Sequence, residues 1–209
     1  MTRLLLIRHA EAEGGGVYTG SSDPSLSALG KRQARALAKH VQRFGPAAVY
    51  SSRKRRAKMT ADEISRAGHI RVRAVKGLEE IDFGEWEGKT FREIDRKYGA
   101  RFRKWVAGAG SYRAPGGERL REMQGRVLSA LRRILKANRG STVAVVCHGG
   151  PARIIICEAL GLPLRNFWKI KQDNAALNVV EYYGKGLVQV CLVNETSYPG
   201  ISRKRKTGA

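Results

Sequence analysis

Two short apolar runs in this chain each lead into a histidine, and they constrain the fold more than any other feature. Residues 4–7 are followed by Arg8 and His9, and residues 143–147 are followed by His148. A short apolar run between turn-forming residues is typical of a strand buried on both faces, as in a parallel sheet. Because the carboxyl ends of such strands open into the ligand crevice of an α/β sheet, we expect both imidazoles to face one pocket.

The rest of the chain alternates between strand and helix patterns. In chain order, the periodicity predicts strand 3–8, loop 11–26, helix 27–43, strand 46–50, helix 53–66, strand 70–75, helical segments 90–97 and 100–106, helix 117–138, strand 142–147, helix 151–160 and a hairpin of strands 177–182 and 187–193. This order predicts a three-layer α/β sandwich, a mostly parallel central sheet with helices on both faces. Residues 77–118 interrupt the alternation and are expected to form a small helical cap insert. We expect residues 1–199 to form one domain, since single cores reach about 200 residues.

The chain carries a large excess of positive charge. In 209 residues, 40 Lys and Arg against 18 Asp and Glu give a formal net charge of +22, which attracts anions such as phosphorylated metabolites, nucleic acids and acidic membranes. The densest basic stretches are residues 53–58 and 203–206, and the segment 200–209 is predicted to be a disordered basic tail. A nucleic-acid or anionic-surface binder is therefore one hypothesis, but nucleic acid is disfavoured because no aromatic residues are interleaved with the basic stretches.

Features that the sequence lacks narrow the class of protein. Met1 lies directly before the first strand, which leaves no room for a leader, and no apolar run reaches the roughly 20 residues of a membrane helix. We therefore expect a cytoplasmic protein with no membrane partner. The three cysteines, Cys147, Cys157 and Cys191, show no CxxC spacing and are expected to be buried thiols. The sequence leaves the oligomeric state open, a homodimer included.

Arg8 and His9 are the first candidates for chemistry. An imidazole nitrogen is a competent nucleophile at neutral pH, and an adjacent guanidinium offers a planar fork for phosphoryl oxygens. Taken alone, however, His9 is better explained as a histidine that caps a strand by a hydrogen bond to the backbone, and the same caution applies to His148. Behind His148, Gly149 and Gly150 allow the backbone to approach a ligand closely and leave a helix N-terminus directed at an anion.

A series of motifs resembles, in order, those of the histidine phosphatase superfamily, the phosphoglycerate mutase-like proteins. The motifs are Arg8-His9-Ala10-Glu11, Tyr18-Thr19-Gly20 with Asp23-Pro24-Ser25-Leu26-Ser27, Tyr50-Ser51-Ser52 with Arg56-Ala57, the block 78–88, Pro115-Gly116-Gly117-Glu118, and Val146-Cys147-His148-Gly149-Gly150 with Arg153. The resemblance extends over nearly all of residues 3–197. It departs from the family at Gly14-Gly15-Gly16, a shortened loop in which an asparagine usually touches the phosphate.

The resemblance implies phosphoryl transfer through a phosphohistidine. It makes His9 the nucleophile and Glu80 the proton donor, which must begin the reaction protonated, with Glu79 as the competing assignment. The groups that would hold the phosphoryl oxygens are Arg8, Arg56 and His148. No metal or cofactor is implied, because the chain shows no HxxxH or acidic-cluster spacing and guanidinium groups can neutralise the phosphoryl charge instead.

Two reactions compete within this superfamily. A mutase keeps the phosphohistidine away from water, whereas a phosphatase admits water. The short insert and the segments 84–88 and 178–182 resemble the phosphatase branch, which includes α-ribazole phosphatases. We therefore favour a metal-independent phosphomonoester hydrolase that acts on small phosphorylated metabolites, with phosphoglycerate mutase-type transfer as the alternative. Candidates for substrate contacts are Tyr18, Thr19, Trp105, Tyr112, Arg113, Glu118 and Gly149, and ordinary packing is an equal alternative for Trp105.

Overall fold

The computed structural model describes residues 1–108 and 112–199. Its strands are β1 (Thr2–Arg8), β2 (Ala48–Ser51), β3 (Val72–Ala74), β4 (Thr142–Cys147), β5 (Leu177–Tyr182) and β6 (Val188–Glu195). Its α-helices are α1 (Ala28–Gln42), α2 (Arg55–Gly68), α3 (Phe91–Gly108), α4 (Leu120–Ala137) and α5 (Gly149–Ala159), and 3₁₀ turns cover Gly84–Trp86, Leu164–Lys169 and Gly184–Gly186. The predicted basic tail, residues 200–209, lies outside the described residues.

The six strands of the described ranges form one sheet in the order β3-β2-β4-β1-β5-β6. The strands from β3 to β1 pair in parallel, whereas β5 pairs antiparallel with both β1 and β6. The predicted α/β architecture, a mostly parallel sheet closed by a hairpin, is confirmed. β1 and β4 are direct neighbours, and their register places Arg8 opposite Cys147. His9 and His148 therefore leave the sheet side by side.

Both faces of the sheet are covered, which explains why its central strands are apolar throughout. Successive side chains of a strand point to opposite faces. In β1, Leu4 and Leu6 pack into the core formed with α4 and α5, while Leu5 and Ile7 pack into the core formed with α1 and α2. None of the helices in the described part of the chain has the length and apolarity needed to cross a membrane.

In the described part of the segment 77–118, the two predicted short helices both lie within α3, on either side of a kink. The helix is broken at Gly99, whose φ of 32° and ψ of −103° lie outside the helical region. Glycine has no Cβ and adopts a positive φ at little steric cost, so the break falls there. An aromatic cluster of Trp86, Phe102 and Trp105 joins the segment to the core of the sheet.

Some boundaries and one burial prediction differ from the sequence-based expectation. α4 begins at Leu120 and not near residue 117, because Gly117 closes a turn onto Ala114 and the backbone N–H of Arg119 is capped by the Glu122 carboxylate. α5 begins two residues earlier than predicted, at Gly149. The expectation of a buried thiol is wrong for Cys191, which lies on the exposed face of the edge strand β6.

Truncation of Leu6 tests the two-faced burial of β1. The side chain is fully buried, so Leu6→Ala removes transfer free energy and leaves a cavity, and the free energy of unfolding should fall by about 2–5 kcal/mol. Leu187→Ala is the matched control, because Leu187 is 56% exposed, and it should cost less than about 1 kcal/mol. Both values come from urea denaturation, and equal losses for the two variants would contradict this account of the core.

Candidate active site

His9 sits at the carboxyl end of β1 with a defined tautomer. Its backbone N–H donates to the Cys147 carbonyl at 2.9 Å, and its own carbonyl accepts from Ala175 N–H at 3.0 Å. Nδ1 lies 2.7 Å from the Ala10 carbonyl oxygen. Because a carbonyl only accepts, Nδ1 carries the proton and Nε2 keeps its lone pair. Burial, followed by the charges of Arg8 and Arg56, lowers the pKa of His9 well below its usual value, so the ring is neutral at pH 7.

His148 packs against His9, as the strand ends predict. The two ring centroids are 5.0 Å apart and the planes are inclined by 64°. His148 is fully buried; its Nε2 lies 2.9 Å from Ser52 Oγ, whereas Nδ1 is buried without a hydrogen-bond partner in the described structure. Burial, with the neighbouring His9 second, lowers the pKa of His148 well below its usual value. This ring is therefore also neutral, and one of its nitrogens lacks a partner.

Arg8 brings a second polar atom without a partner to the same place. Its Nη1 donates to the Gln172 carbonyl, but its Nε is buried and has no hydrogen-bond partner in the described structure. Burial lowers the pKa of Arg8, and the Glu80 carboxylate acts in the opposite direction. A buried donor without a partner costs free energy. An anion placed beside Arg8 Nε would remove that cost.

Arg56 is the arginine of the basic stretch that faces inward. It is 1% exposed, and its Nε donates to His9 Nε2 at 3.3 Å. Nη1 donates to the Ser22 carbonyl at 2.8 Å and Nη2 to the Thr19 carbonyl at 3.2 Å, so the loop after β1 fixes the guanidinium. Arg53, in contrast, forms an ion pair with Glu79. Without the resemblance to the family, the sequence does not distinguish Arg56 from Arg53.

Glu80 lies against the first turn of α5. Its Oε2 accepts from Gly150 N–H at 3.0 Å, and its Oε1 accepts from Ile81 N–H at 2.9 Å. Arg126 of α4 fixes the loop that carries Glu80, because it donates to the carbonyls of residues 77, 79 and 80 while pairing with Glu118.

Glu79, the competing assignment for the proton donor, faces away from the histidines. Its carboxylate accepts from Arg53 Nε and from Gly77 N–H, each at 2.7 Å. Burial acts to raise the pKa of Glu79, but these two hydrogen bonds outweigh burial and hold the pKa below its usual value. A carboxylate kept ionised in this way is a poor source of a proton.

A cavity of about 310 Å³ opens over the neutral His9. Its lining includes Arg8, His9, Arg56 and Glu80 together with Tyr18, Thr19 and Gly149, as well as Gly14, Gly15 and Gly16. A larger cleft of about 620 Å³ lies on the other side of Glu80 and is lined by Glu79, Glu118 and Arg126, but by neither histidine. The smaller cavity is therefore the one suited to chemistry at His9.

Four of the predicted substrate contacts lie outside this cavity. Glu118 is held by Arg126, and the backbone of Arg113 pairs with that of Arg119. Tyr112 is exposed beside Lys104, and Trp105 packs against Trp168 and the other aromatic residues of its cluster. For Trp105, ordinary packing is thus the better interpretation.

The cavity lining also includes Arg153, Trp168 and Asn174, to which the sequence assigned no role. Asn174 Nδ2 donates to the His9 carbonyl at 3.3 Å. Its side chain supplies an amide to the cavity, whereas the loop of Gly14, Gly15 and Gly16 supplies none. Arg153 was noted within the second histidine motif without a role. Only the fold brings residues 168 and 174 to the end of β1. Among the described residues, no group of three or more His, Cys, Asp or Glu is placed to hold a metal ion.

Comparison with known proteins identifies the family. The model of the histidine phosphatase superfamily (branch 1) matches residues 4–195. The chain belongs to this superfamily. It is 38% identical, over 182 residues, to phosphoserine phosphatase 1 of Hydrogenobacter thermophilus, and the match covers 86% of each chain.

Two solved structures show the same fold as this chain. YhfR of Bacillus stearothermophilus superimposes with a TM-score of 0.87 at 28% identity, covering 94% of this chain and 98% of that one. The mycobacterial glucosyl-3-phosphoglycerate phosphatase Rv2419c superimposes with a TM-score of 0.83 at 26% identity, covering 92% and 98%.

Gly150→Ala tests how closely α5 must approach Glu80 in this histidine phosphatase. A methyl group at Gly150 would overlap Glu80 Oε1 and would lie 3.0 Å from Met123 Cε, so the carboxylate must move. Misplacement of such a group by about 1 Å typically costs on the order of 100-fold in rate, and we expect kcat for hydrolysis of a small phosphomonoester to fall by that order.

Gly184→Ala is the control, since a methyl group there meets no atom within 4 Å, and it should retain the activity of the wild type. Circular dichroism establishes that both variants are folded. Full activity of folded Gly150→Ala would show that the position of Glu80 does not matter.

Proposed function

We propose that this protein is a metal-independent phosphomonoesterase that acts through a phosphohistidine at His9. The observation that carries the proposal is the arrangement around His9 Nε2. A neutral imidazole presents its lone pair beside Arg56, and two nearby buried atoms, Arg8 Nε and His148 Nδ1, have no hydrogen-bond partner in the described structure. A phosphoryl group bound there would supply acceptor oxygens to these donors while its phosphorus faces the nucleophile.

In the first step, the Nε2 lone pair of His9 attacks phosphorus and the bond between phosphorus and the ester oxygen breaks. Glu80 donates its proton to the leaving oxygen, so the alcohol departs neutral. The hydrogen bond from His9 Nδ1 to the Ala10 carbonyl keeps the ring in the reactive tautomer and orientation. The neutral state of His9 is essential, because an imidazolium has no lone pair to attack with.

In the second step, water attacks the phosphohistidine. The Glu80 carboxylate accepts a proton from the water, the bond between phosphorus and His9 Nε2 breaks, and inorganic phosphate leaves. Glu80 is then protonated again, so one carboxyl group serves both steps. The backbone N–H of Gly150 holds this carboxyl group in place throughout.

The buried guanidinium groups supply the charge that stabilises the transferring phosphoryl group. Arg8 and Arg56 act as cations that their hydrogen bonds to carbonyl oxygens hold in place before substrate binds, and such preorganised donors stabilise developing charge. The cost of burying them is visible in the pKa of each, which burial lowers. Substrate binding offsets that cost.

Hydrolysis is favoured over mutase-type transfer by the open rim of the cavity. Glu13 and the triple-glycine loop, residues 14–16, line the cavity and are exposed, so water reaches the phosphohistidine from this side. A mutase must exclude water from the same intermediate. The names of the compared relatives, a phosphoserine phosphatase and a glucosyl-3-phosphoglycerate phosphatase, support small phosphorylated metabolites as the substrate class.

The basic stretch 53–58 offers limited support for nucleic-acid binding. Arg56 is buried, Arg53 is paired with Glu79, and Lys54 Nζ donates to the Ser21 carbonyl. Three of its five charged side chains therefore make contacts within the chain.

The domain organisation is proposed on the same basis. Residues 1–199 would form one histidine phosphatase domain, with the segment 77–118 as its cap insert. A cytoplasmic location and a homodimer stay predictions.

Release of inorganic phosphate from a panel of small phosphomonoesters, measured in EDTA, tests the mechanism. His9→Ala should abolish release because it removes the nucleophile.

Glu80→Gln keeps the shape of the side chain but cannot transfer a proton. It should slow release by about 10²–10⁴-fold. Persistent activity of His9→Ala would overturn the covalent mechanism, and loss of wild-type activity in EDTA would overturn metal independence. Interconversion of phosphoglycerates without phosphate release would identify a mutase.

A further inference from the structure

Arg153 places a third guanidinium in the cavity, on the side of the leaving group. It belongs to α5, and its Nε donates to the Ile170 carbonyl at 2.8 Å. The guanidinium carbon lies over the Phe167 and Trp168 rings, 5.4 Å and 5.2 Å from their centroids. The 3₁₀ turn Leu164–Lys169 therefore holds this cation in a fixed position.

The position of Arg153 relative to the proton donor follows from the surroundings of Gly149. A methyl group built on Gly149 would lie 3.3 Å from Arg153 Nη1, 3.6 Å from Arg8 Nε and 3.7 Å from Glu80 Oε2. Arg153, Arg8 and Glu80 thus all approach the Cα of Gly149 from the side on which a side chain would stand. Because Glu80 is proposed to protonate the leaving oxygen, Arg153 Nη1 is placed on the same side of Gly149 as the proton donor.

The charge of Arg153 is not neutralised by a carboxylate within ion-pair distance. Among the described residues, neither Nη1 nor Nη2 forms a hydrogen bond, and no ion pair includes Arg153. Burial lowers the pKa of Arg153, as expected for a guanidinium withdrawn from water, and Glu80 acts in the opposite direction. A partly buried cation without a counterion is unfavourable in the empty cavity and favourable once an anion binds.

Trp168 adds a second donor to the same wall. Its indole Nε1 is buried and has no hydrogen-bond partner in the described structure, and the residue lines the cavity. A buried indole N–H usually finds an acceptor. A ligand that offers acceptor oxygens to both Arg153 and Trp168 would satisfy both side chains.

We propose that Arg153 is a specificity-determining residue that selects phosphomonoesters whose leaving alcohol carries a carboxylate. The inference rests on the proposed function and names its substrate class. The planar fork of arginine matches a carboxylate in two parallel hydrogen bonds. A second phosphate on the leaving alcohol is the competing ligand, and glycerol 1,3-bisphosphate tests for it.

Two pairs of phosphomonoesters measure how much the carboxylate of the leaving alcohol contributes to substrate preference. 3-Phosphoglycerate and glycerol 3-phosphate share a three-carbon skeleton, and the carboxylate of the first is replaced by a hydroxymethyl group in the second. Phosphoserine and phosphoethanolamine differ by the presence of the carboxylate alone. For each pair, the ratio of kcat/KM values measures the preference for the acid, and a general loss of folding or of active enzyme leaves this ratio unchanged.

We expect the wild type to prefer the acid of at least one pair. In Arg153→Gln that preference should fall by about 10- to 100-fold, the effect of losing a hydrogen bond to a charged group, and mainly through KM. Arg153→Lys keeps the positive charge but loses the planar guanidinium group. It should therefore retain more of the preference for the acid than Arg153→Gln does. Arg165→Gln is the matched control, because Arg165 is exposed, lies in the neighbouring 3₁₀ turn and does not line the cavity; it should keep the wild-type ratio.

Several outcomes would overturn the inference. One is a wild type without preference for the acid, and another is an unchanged ratio in Arg153→Gln. A third is an effect of Arg153→Gln on glycerol 1,3-bisphosphate but not on the acids, which would assign Arg153 to a second phosphate. Failure of the proposed function looks different, since none of the esters would then release phosphate in a His9-dependent manner.

Discussion

Parallel pairing of β1 with β4 is the constraint from which the site follows. The register places Arg8 opposite Cys147, so the residues that follow, His9 and His148, emerge together at one edge of the sheet with their rings 5.0 Å apart. The pairing requires strands that are apolar on both sides, because helices cover both faces. The same burial that stabilises these strands also removes both imidazoles from water and keeps them neutral. The neutral state of His9, which the proposed mechanism requires, is thus a consequence of the fold.

The site concentrates positive charge that the protein itself does not neutralise. Arg8, Arg56 and Arg153 all line one cavity, and carbonyl oxygens anchor each of them. Carbonyls position a guanidinium without cancelling its charge, whereas carboxylates, such as the Glu79 partner of Arg53, would do both. The cavity arginines, which contact carbonyl oxygens, therefore keep a charge that can bind an anion. Arg53, which is paired with Glu79, does not.

The sequence predicted the sheet from local patterns, whereas the chemistry at its edge was inferred from the resemblance to the family. Apolar runs identify the buried strands. A histidine directly after such a run lies at the carboxyl end of its strand, so its position in the sheet follows from the sequence. Other residues of the cavity could not be predicted in this way. Trp168 and Asn174 belong to a turn and a loop whose positions depend on tertiary packing, and no local sequence pattern identifies them. For the same reason the sequence did not show that Arg113 and Glu118, which lie beside and within a family motif, are outside the cavity. The exposure of Cys191 likewise depends on β6 being an edge strand, which composition does not reveal.

The turn Leu164–Lys169 lies outside the strands that carry His9 and His148. It contacts the cavity through Trp168 and, by supporting Arg153, shapes the wall beyond the ester oxygen. Replacement of this turn by another sequence would alter that wall. The ends of β1 and β4 and the loop anchored by Arg56 would keep their contacts. Evolution can therefore redirect such an enzyme towards a new alcohol through a few residues of one turn, without passing through ancestors that have lost phosphoryl transfer.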